Sequence, residues 1–184
     1  MDTVYFVICT LSVIFKMALP GKRVFVTVGT TKFDELIETV LNSEILEALS
    51  SKGYNELILQ IGKTSYVPNC IPCCGFITIE YFTISPNILE HVKATDLVIS
   101  HAGAGSILDS LENKKNLIVV VNQNLMDNHQ LELAEQLYID KHLYYCTCET
   151  LSHTIQTMDF SSLKPFVNYR NTHIADQINQ IMGF

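Results

Sequence analysis

A glycine-rich segment at residues 100–106 carries the residue types of an anion-binding loop. It reads Ser-His-Ala-Gly-Ala-Gly-Ser and runs directly into a helical pattern. Gly103 and Gly105, with Ala104 between them, let a ligand come close to the backbone, and Ser106 adds a hydroxyl. Because the free N–H groups and the dipole of a helix N-terminus attract negative charge, this segment predicts a binding site for a phosphate group.

Three familiar motifs do not fit the same segment. A dinucleotide fingerprint would need glycine where Leu108 stands, and it would follow the first strand rather than a late one. The segment is not a Walker A loop, and Ser106 is not in a G-x-S-x-G elbow, because Ile107 and Leu108 follow it. NAD binding and serine hydrolysis therefore have little support. For His101, two interpretations stay open: a residue of the tight turn, or a contact to the ligand.

The loop after the first predicted strand is a second candidate. Gly29 permits a tight turn, and the hydroxyls of Thr30 and Thr31 precede a helical pattern. This arrangement fits an anion site at the start of a helix. It fits equally an ordinary helix start in which Thr30 or Thr31 caps the first turn.

A third loop, residues 122–130, concentrates polar side chains ahead of another helical pattern. An N-cap at Asp127 or Asn128 explains one of them. It does not explain the imidazole and amide of His129 and Gln130, which begin the same helix. Hydrogen bonding to a sugar would explain them.

Neutral amides, together with a carboxylate such as Asp109, are the groups expected to hydrogen-bond ribose and hexose hydroxyls without a metal ion. Asp109 stands one turn into the helix that follows the glycine-rich segment. No two acids are clearly brought together as in a glycosidase. The polar residues therefore favour sugar binding over glycoside hydrolysis.

Six short apolar runs predict the strands that position these loops. Most are continuous rather than alternating, which indicates strands of a parallel sheet buried on both faces. They are Val24–Val28, Glu56–Ile61, Phe76–Phe82, Leu97–Ser100, Leu117–Val121 and Leu143–Cys146, and helical patterns lie between them at Phe33–Leu41, Asn87–Ala94, Ser106–Glu112 and His129–Tyr138. The predicted fold class is α/β, a Rossmann-like parallel sheet with helices on both faces. Ligands bind such sheets outside the carboxyl ends of the strands, where the three loops lie.

Composition limits the class of partner. The chain has 184 residues, 48% hydrophobic and 17% charged, which is enough for one domain with a sizeable core. A formal net charge of −7 opposes the phosphate-backbone contacts of a nucleic-acid binder. The surplus of apolar residues fits either a core or a surface that a protein partner covers.

Three segments divide the chain. They are an N-terminal extension at 1–21, a ligand-binding domain at 22–163, and a C-terminal linker and helix at 164–184. The apolar run Val4–Phe15 is too short to span a bilayer and lacks the positive start of a signal peptide. The C-terminal stripe of Ile174, Ile178 and Ile181 either docks a partner or packs on the domain's own sheet.

The cysteines give little support to a metal centre. Cys70 and Cys73 have a zinc-like spacing, but Cys146 and Cys148, the second pair available, have a spacing unusual for a tetrahedral site. We expect free, mostly buried thiols in a reducing compartment, and neither a bound metal nor a cofactor.

Four segments together resemble one family. They are residues 24–31 (VFVTVGTT), 57–62 (LILQIG), 96–106 (DLVISHAGAGS) and 127–134 (DNHQLELA). They are similar to the donor-binding subunit of the two-subunit UDP-N-acetylglucosamine transferase of dolichol-linked oligosaccharide assembly, in glycosyltransferase family 28. The similarity covers about Arg23 to Met158. More distantly, the chain resembles the C-terminal half of the bacterial peptidoglycan N-acetylglucosaminyltransferase, a two-domain GT-B enzyme.

The resemblance implies transfer of N-acetylglucosamine (GlcNAc) from UDP-GlcNAc to dolichyl-diphosphate-GlcNAc, with inversion and without a bound metal. Matching positions would place Gly29, Thr30 and the turn from Gly103 to Ser106 against the diphosphate. Asp109 stands where bacterial relatives bind ribose through a glutamate, and His129 and Gln130 stand where they use amides near ribose and GlcNAc.

The same resemblance bears on the uracil-binding region and on catalysis. Ile84 and Ser85 occupy the region that would meet uracil through backbone groups. His101 is the one candidate catalytic contributor in this chain. No residue is assigned as the general base that deprotonates the acceptor hydroxyl, and a location on a partner stays open.

A partner follows from the resemblance and the length together. A GT-B active site lies between two domains, and 184 residues make one. We therefore expect a membrane-anchored, acceptor-binding subunit that holds this chain at the cytosolic face of the endoplasmic reticulum. The alternative is a nucleotide-sugar-binding or scaffolding module of the same fold without turnover.

Overall fold

The computed structural model describes residues 21–122 and 128–167, which form a six-stranded parallel sheet. Its strands are β1 (Lys22–Thr27), β2 (Tyr54–Gln60), β3 (Thr78–Phe82), β4 (Leu97–His101), β5 (Asn116–Val121) and β6 (Tyr144–Thr147). They lie in the order β3-β2-β1-β4-β5-β6, and all neighbours are parallel. The six predicted strands are confirmed, with small shifts at their ends.

Six α-helices connect and follow these strands in the described part of the chain. They are α1 (Asp34–Val40), α2 (Ser43–Ser51), α3 (Ile88–Lys93), α4 (Ala104–Glu112), α5 (Asn128–Ile139) and α6 (Leu151–Thr157), and a 3-10 turn follows at Phe160–Ser162. The pattern did not predict α2 or α6. In α2, Asn42 accepts a hydrogen bond from the Glu44 N–H and caps the helix, and the apolar residues Ile45, Leu46 and Leu49 bury one face.

The helices cover both faces of the sheet, as predicted. On one face, α1, α2 and α6 pack on alternate strand residues such as Val24 and Val26. On the other, α3, α4 and α5 pack on the intervening residues, including Phe25. The continuous apolar runs of β1, β4 and β5 follow from this double covering, since each strand residue meets one core or the other.

The expectation of burial on both faces was wrong for the two edge strands. In β3 only Ile79 is buried, and in β6 only Cys146 is buried. Both strands have a neighbour on one side only. An edge strand carries less of the helical covering than a central one, so its side chains stay partly exposed.

The sheet order creates a crevice between β1 and β4. The chain runs from β1 outward to β2 and β3, then returns to β4 and continues outward to β5 and β6. Ligands bind at such a switch point, outside the carboxyl ends of the strands. Within the described ranges no helix is long and apolar enough to cross a membrane. The predicted N-terminal run and C-terminal stripe lie outside the described residues.

Candidate functional site

A cleft of about 350 Å³ opens at the carboxyl ends of β1, β2 and β4. Its lining comes from the loops after β1, β3 and β4, the last residues of β2 and β4, and the amino ends of α3 and α4: Gly29, Thr30, Thr31, Gln60, Ile84, Ser85, Ile88, His101, Gly103, Gly105, Ser106 and Asp109. The fold thus brings together most of the residues that the sequence singled out. Ala104, the first residue of α4, is not part of the lining.

The imidazole of His101 is held between two glycines. A β-carbon built on Gly29 would lie 2.8 Å from His101 Cε1, and one built on Gly103 would lie 2.3 Å from His101 Nε2. Both distances are too short for real side chains, so these glycines make room for the ring. Gly29 also has a φ of +62°, which L side chains rarely adopt.

One backbone contact and burial determine the protonation state of the His101 side chain. Its Nδ1 lies 3.3 Å from the Thr27 carbonyl oxygen, which can only accept, so Nδ1 carries the proton. Burial lowers the pKa of His101 below its usual 6.5, and the contact to Thr27 opposes that shift. The imidazole is therefore neutral at neutral pH, and its Nε2 is a hydrogen-bond acceptor.

The two interpretations of His101 are both consistent with its position. Its carbonyl oxygen accepts from the Gly103 N–H at 2.8 Å and from the Ser100 hydroxyl at 2.8 Å, which makes it part of the turn. Its ring nevertheless lines the cleft. The turn therefore fixes the backbone of His101 at the amino end of α4.

The amino end of α4 faces the cleft without a side-chain cap. Gly103 is the N-cap residue and has no side chain to offer, and Ile107 N–H makes the first helical bond to the Gly103 carbonyl. The N–H groups of the first turn therefore lack helical partners. The helix dipole adds positive potential at this end, so the geometry suits an anion.

The Gly29 loop reaches the cleft with fewer free donors than the sequence suggested. Gly29 N–H donates to the Thr27 hydroxyl at 3.0 Å, and Thr31 donates to the Val28 carbonyl with its N–H at 3.2 Å and its hydroxyl at 2.7 Å. The alternative that Thr30 or Thr31 caps α1 was wrong, because Phe33 is the N-cap residue and no side chain caps this helix. Thr30 is exposed at the rim.

Gln60 is a lining residue that the sequence reading did not identify. It is the last residue of β2 and pairs in register with Thr27 of β1. The Thr27 hydroxyl donates to Gln60 Oε1 in a short hydrogen bond. The one available signal was a polar residue at the carboxyl end of an apolar strand.

The remaining predicted residues divide into two groups. Asp109, with Ile84 and Ser85, lines the cleft. Asn128, His129 and Gln130 form the first turn of α5, after β5. Their side chains and residues 123–127 lie outside what the structure describes.

The described cysteines are free, but they are not mostly buried as expected. Cys146 is buried, Cys73 is exposed, and Cys70, Cys74 and Cys148 are intermediate. Burial raises the pKa of Cys146 to about 12 and that of Cys148 to about 11, so both are thiols at neutral pH. No group of three or more His, Cys, Asp or Glu residues suited to a metal ion occurs within the described ranges.

A family model matches most of the chain. The glycosyltransferase family 28 C-terminal domain matches residues 23–181. The parallel sheet and its cleft fit this class, and the chain belongs to this family.

Named relatives agree with the assignment. The mouse and human proteins called "UDP-N-acetylglucosamine transferase subunit ALG13" are each 51% identical over 131 residues, which are 71% of this chain and 11% of theirs. The Saccharomyces cerevisiae protein of the same name is 33% identical over 178 residues, covering 79% of this chain and 88% of its own. This chain thus spans about a tenth of the mouse and human relatives and most of the yeast one.

Solved structures confirm the fold class. The NMR structure of ALG13 matches with a TM-score of 0.64 and 29% identity, covering 85% of this chain and 94% of that one. MurG of Acinetobacter baumannii matches with a TM-score of 0.58 and 15% identity, covering 90% of this chain and 52% of its own. The second likeness concerns the fold alone.

Proposed function

We propose that this chain is the donor-binding, catalytic part of an inverting UDP-GlcNAc-dependent N-acetylglucosaminyltransferase. Its acceptor is dolichyl-diphosphate-GlcNAc, and the product carries the second GlcNAc of a lipid-linked oligosaccharide. One observation carries the proposal: Gly29, His101, Gly103, Ser106 and Asp109 line one cleft at the uncapped amino end of α4. The relatives' names, which state a UDP-N-acetylglucosamine transferase subunit, support the choice of donor.

The cleft suits a nucleoside diphosphate for two reasons: the positive end of a helix dipole faces it, and its lining residues follow the order of base, ribose and diphosphate. The diphosphate binds at the amino end of α4, where N–H groups and the Ser106 hydroxyl surround the anion. Ile84 and Ser85, after β3, contact uracil, and Asp109 binds the ribose hydroxyls. GlcNAc extends towards the first turn of α5, at Asn128–Gln130.

Catalysis rests on stabilising the leaving diphosphate. Negative charge grows on it as the sugar departs, and fixed dipoles aimed at that charge lower the barrier. His101 assists, because its Nε2 points towards Gly103 at the start of α4. A bound anion favours the imidazolium form, which then donates from Nε2 as well as from Nδ1.

A partner supplies what the cleft lacks. Of the residues that line the described cleft, only His101 and Asp109 carry an ionisable side chain, and both have roles towards the donor. The base that deprotonates the acceptor hydroxyl therefore comes from a membrane-anchored, acceptor-binding subunit. That subunit places this chain at the cytosolic face of the endoplasmic reticulum.

The test is transfer of radiolabelled GlcNAc from UDP-GlcNAc to dolichyl-diphosphate-GlcNAc in membranes. We expect activity when the chain is co-expressed with its membrane partner and none with the chain alone. Gly103→Val should remove the activity while the chain stays folded and still co-purifies with the partner.

The alternative, a nucleotide-sugar-binding module without turnover, has a distinct outcome in this assay. It predicts that the folded chain binds UDP-GlcNAc but gives no transfer with or without the partner, beside an active pair from a relative. Retained transfer by Gly103→Val would contradict the role given to the α4 end.

A further inference from the structure

Gln60 lies on the floor of the cleft, and only the oxygen of its side-chain amide is hydrogen-bonded within the described part of the chain. The residue is 2% exposed, yet it lines the cleft. Its Oε1 accepts from the Thr27 hydroxyl. Its Nε2, which can donate two hydrogen bonds, has no partner among the described residues.

The unpaired amide nitrogen is open to the cleft rather than sealed in the core. Two fully buried side-chain oxygens lack a partner in the described part of the chain, Asp34 Oδ1 and Asn55 Oδ1. Gln60 Nε2 is not one of these sealed atoms. Since an unpaired donor in a nearly buried position costs free energy, a ligand oxygen that accepts from it removes that cost.

The position of β2 in the sheet indicates which part of the ligand Gln60 contacts. Strands in a sheet lie about 4.8 Å apart, so the ends of β2 and β5, with β1 and β4 between them, are separated by about 14 Å. The sugar-side residues 128–130 follow β5, whereas Gln60 lies between the Gly29 turn and the Ile84–Ser85 loop. Gln60 is therefore on the nucleotide side of the cleft.

We propose that the Gln60 side-chain amide donates a hydrogen bond to an oxygen of the uridine diphosphate moiety. This inference rests on the proposed function, because it takes the occupant to be a UDP-sugar. Thr27 is the positioning residue: its hydroxyl orients the Gln60 amide and accepts from Gly29 N–H, and its carbonyl accepts from His101 Nδ1. One residue thus orients three parts of the site.

Gln60→Glu tests the contact, because it keeps an oxygen for the Thr27 hydroxyl and replaces the donor by a second oxygen. Affinities for UDP and UDP-GlcNAc are measured by calorimetry on the 184-residue chain, and folding by thermal unfolding. We expect both affinities to fall by the same factor, at least about tenfold, which is about 1.4 kcal/mol. If this variant does not fold, Gln60→Met, which buries no charge, carries the same expectation.

A double-mutant cycle separates direct contact from an effect through Thr27. Thr27→Val removes the hydroxyl and leaves the amide, so Gln60→Glu should still cost about tenfold in that background. A smaller loss in either background would overturn the contact, and so would a loss for UDP-GlcNAc without one for UDP. If the unsubstituted chain binds neither ligand, the proposed function fails along with this inference.

Discussion

The imidazole of His101 and the α-carbon of Gly103 are so close that a β-carbon on Gly103 would lie 2.3 Å from Nε2. The ring is the movable partner, since His101 is held by a single side-chain hydrogen bond at 3.3 Å. Gly103→Ala should therefore displace the ring from the start of α4 and lower UDP-GlcNAc affinity by about tenfold, measured by calorimetry. Circular dichroism should show an intact fold.

Gly105→Ala is the matched comparison for that variant. It adds the same methyl group two residues further on, where no atom lies within 4 Å of the new carbon. It should raise the free energy of unfolding by up to about 1 kcal/mol, because alanine favours a helix over glycine. Its effect on UDP-GlcNAc affinity should be smaller than that of Gly103→Ala. Equal losses would mean that crowding between the added methyl groups and the ligand, rather than displacement of the His101 ring, lowers the affinity.

The protonation state of His101 should make donor binding depend on pH. Burial lowers the pKa of His101 below 6.5. A bound diphosphate should raise this pKa, because a nearby negative charge favours the imidazolium form. Binding then takes up a proton, so UDP-GlcNAc affinity should rise as the pH falls through the pKa of the bound state and level off below the pKa of the free state. The expected change is about tenfold for each unit by which the ligand raises the pKa.

His101→Gln is the control for this pH dependence. Its side chain is neutral throughout the range, so the affinity profile should be flat. A profile for the variant that matches that of the unsubstituted chain would assign the proton to another group.

Comparing alanine variants of Gly29 and Gly53, two glycines with positive φ, distinguishes the effect of backbone strain from an effect on ligand binding. Gly29 has φ +62° and Gly53 has φ +90°, but only Gly29 faces a neighbour within 4 Å, which is His101. Alanine at either position should destabilise the fold by about 1–2 kcal/mol in urea unfolding. Only Gly29→Ala should also weaken UDP binding, and a similar loss with Gly53→Ala would show that strain alone is sufficient.

Asp109 should distinguish ribose from its deoxy forms. A carboxylate in the cleft accepts hydrogen bonds from ribose hydroxyls, so the chain should bind UDP more tightly than 2′,3′-dideoxy-UDP. Asp109→Ala should lower UDP affinity by about tenfold and remove the preference. A preference that persists in the variant would place the ribose elsewhere.

The sheet was predictable because its central strands are continuous apolar runs closed by glycine or polar residues. The edge strands β3 and β6 were also found, but their exposure depends on strand order, which no local pattern encodes. The two missed helices, α2 and α6, begin only a few residues after α1 and β6 end. In α6 only Leu151 and Ile155 mark the buried face, which is too few for a clear period.

The candidate site was predictable where a residue's chemistry depends on its own loop. Gly103 and Ser106 belong to such a segment, since glycines before a helix predict an anion site by themselves. Gln60 and Thr27 were not predictable, because their pairing comes from strands that are 33 residues apart and adjacent only in the sheet. The hydrogen bond from the Thr31 hydroxyl to the Val28 carbonyl was not predictable for a different reason: it is local, but it depends on the conformation of the turn.

The most direct test is an NMR titration of the 184-residue chain with UDP-GlcNAc, following backbone amide shifts. The account predicts saturable changes at Thr30, Gln60, Ser85 and residues 101–109, with Gly103→Val removing them. The groove between Lys114, Phe160 and Phe166 lies away from this cleft and should not respond. Changes confined to that groove, or none in a folded chain at saturating ligand, would contradict a donor site at the start of α4.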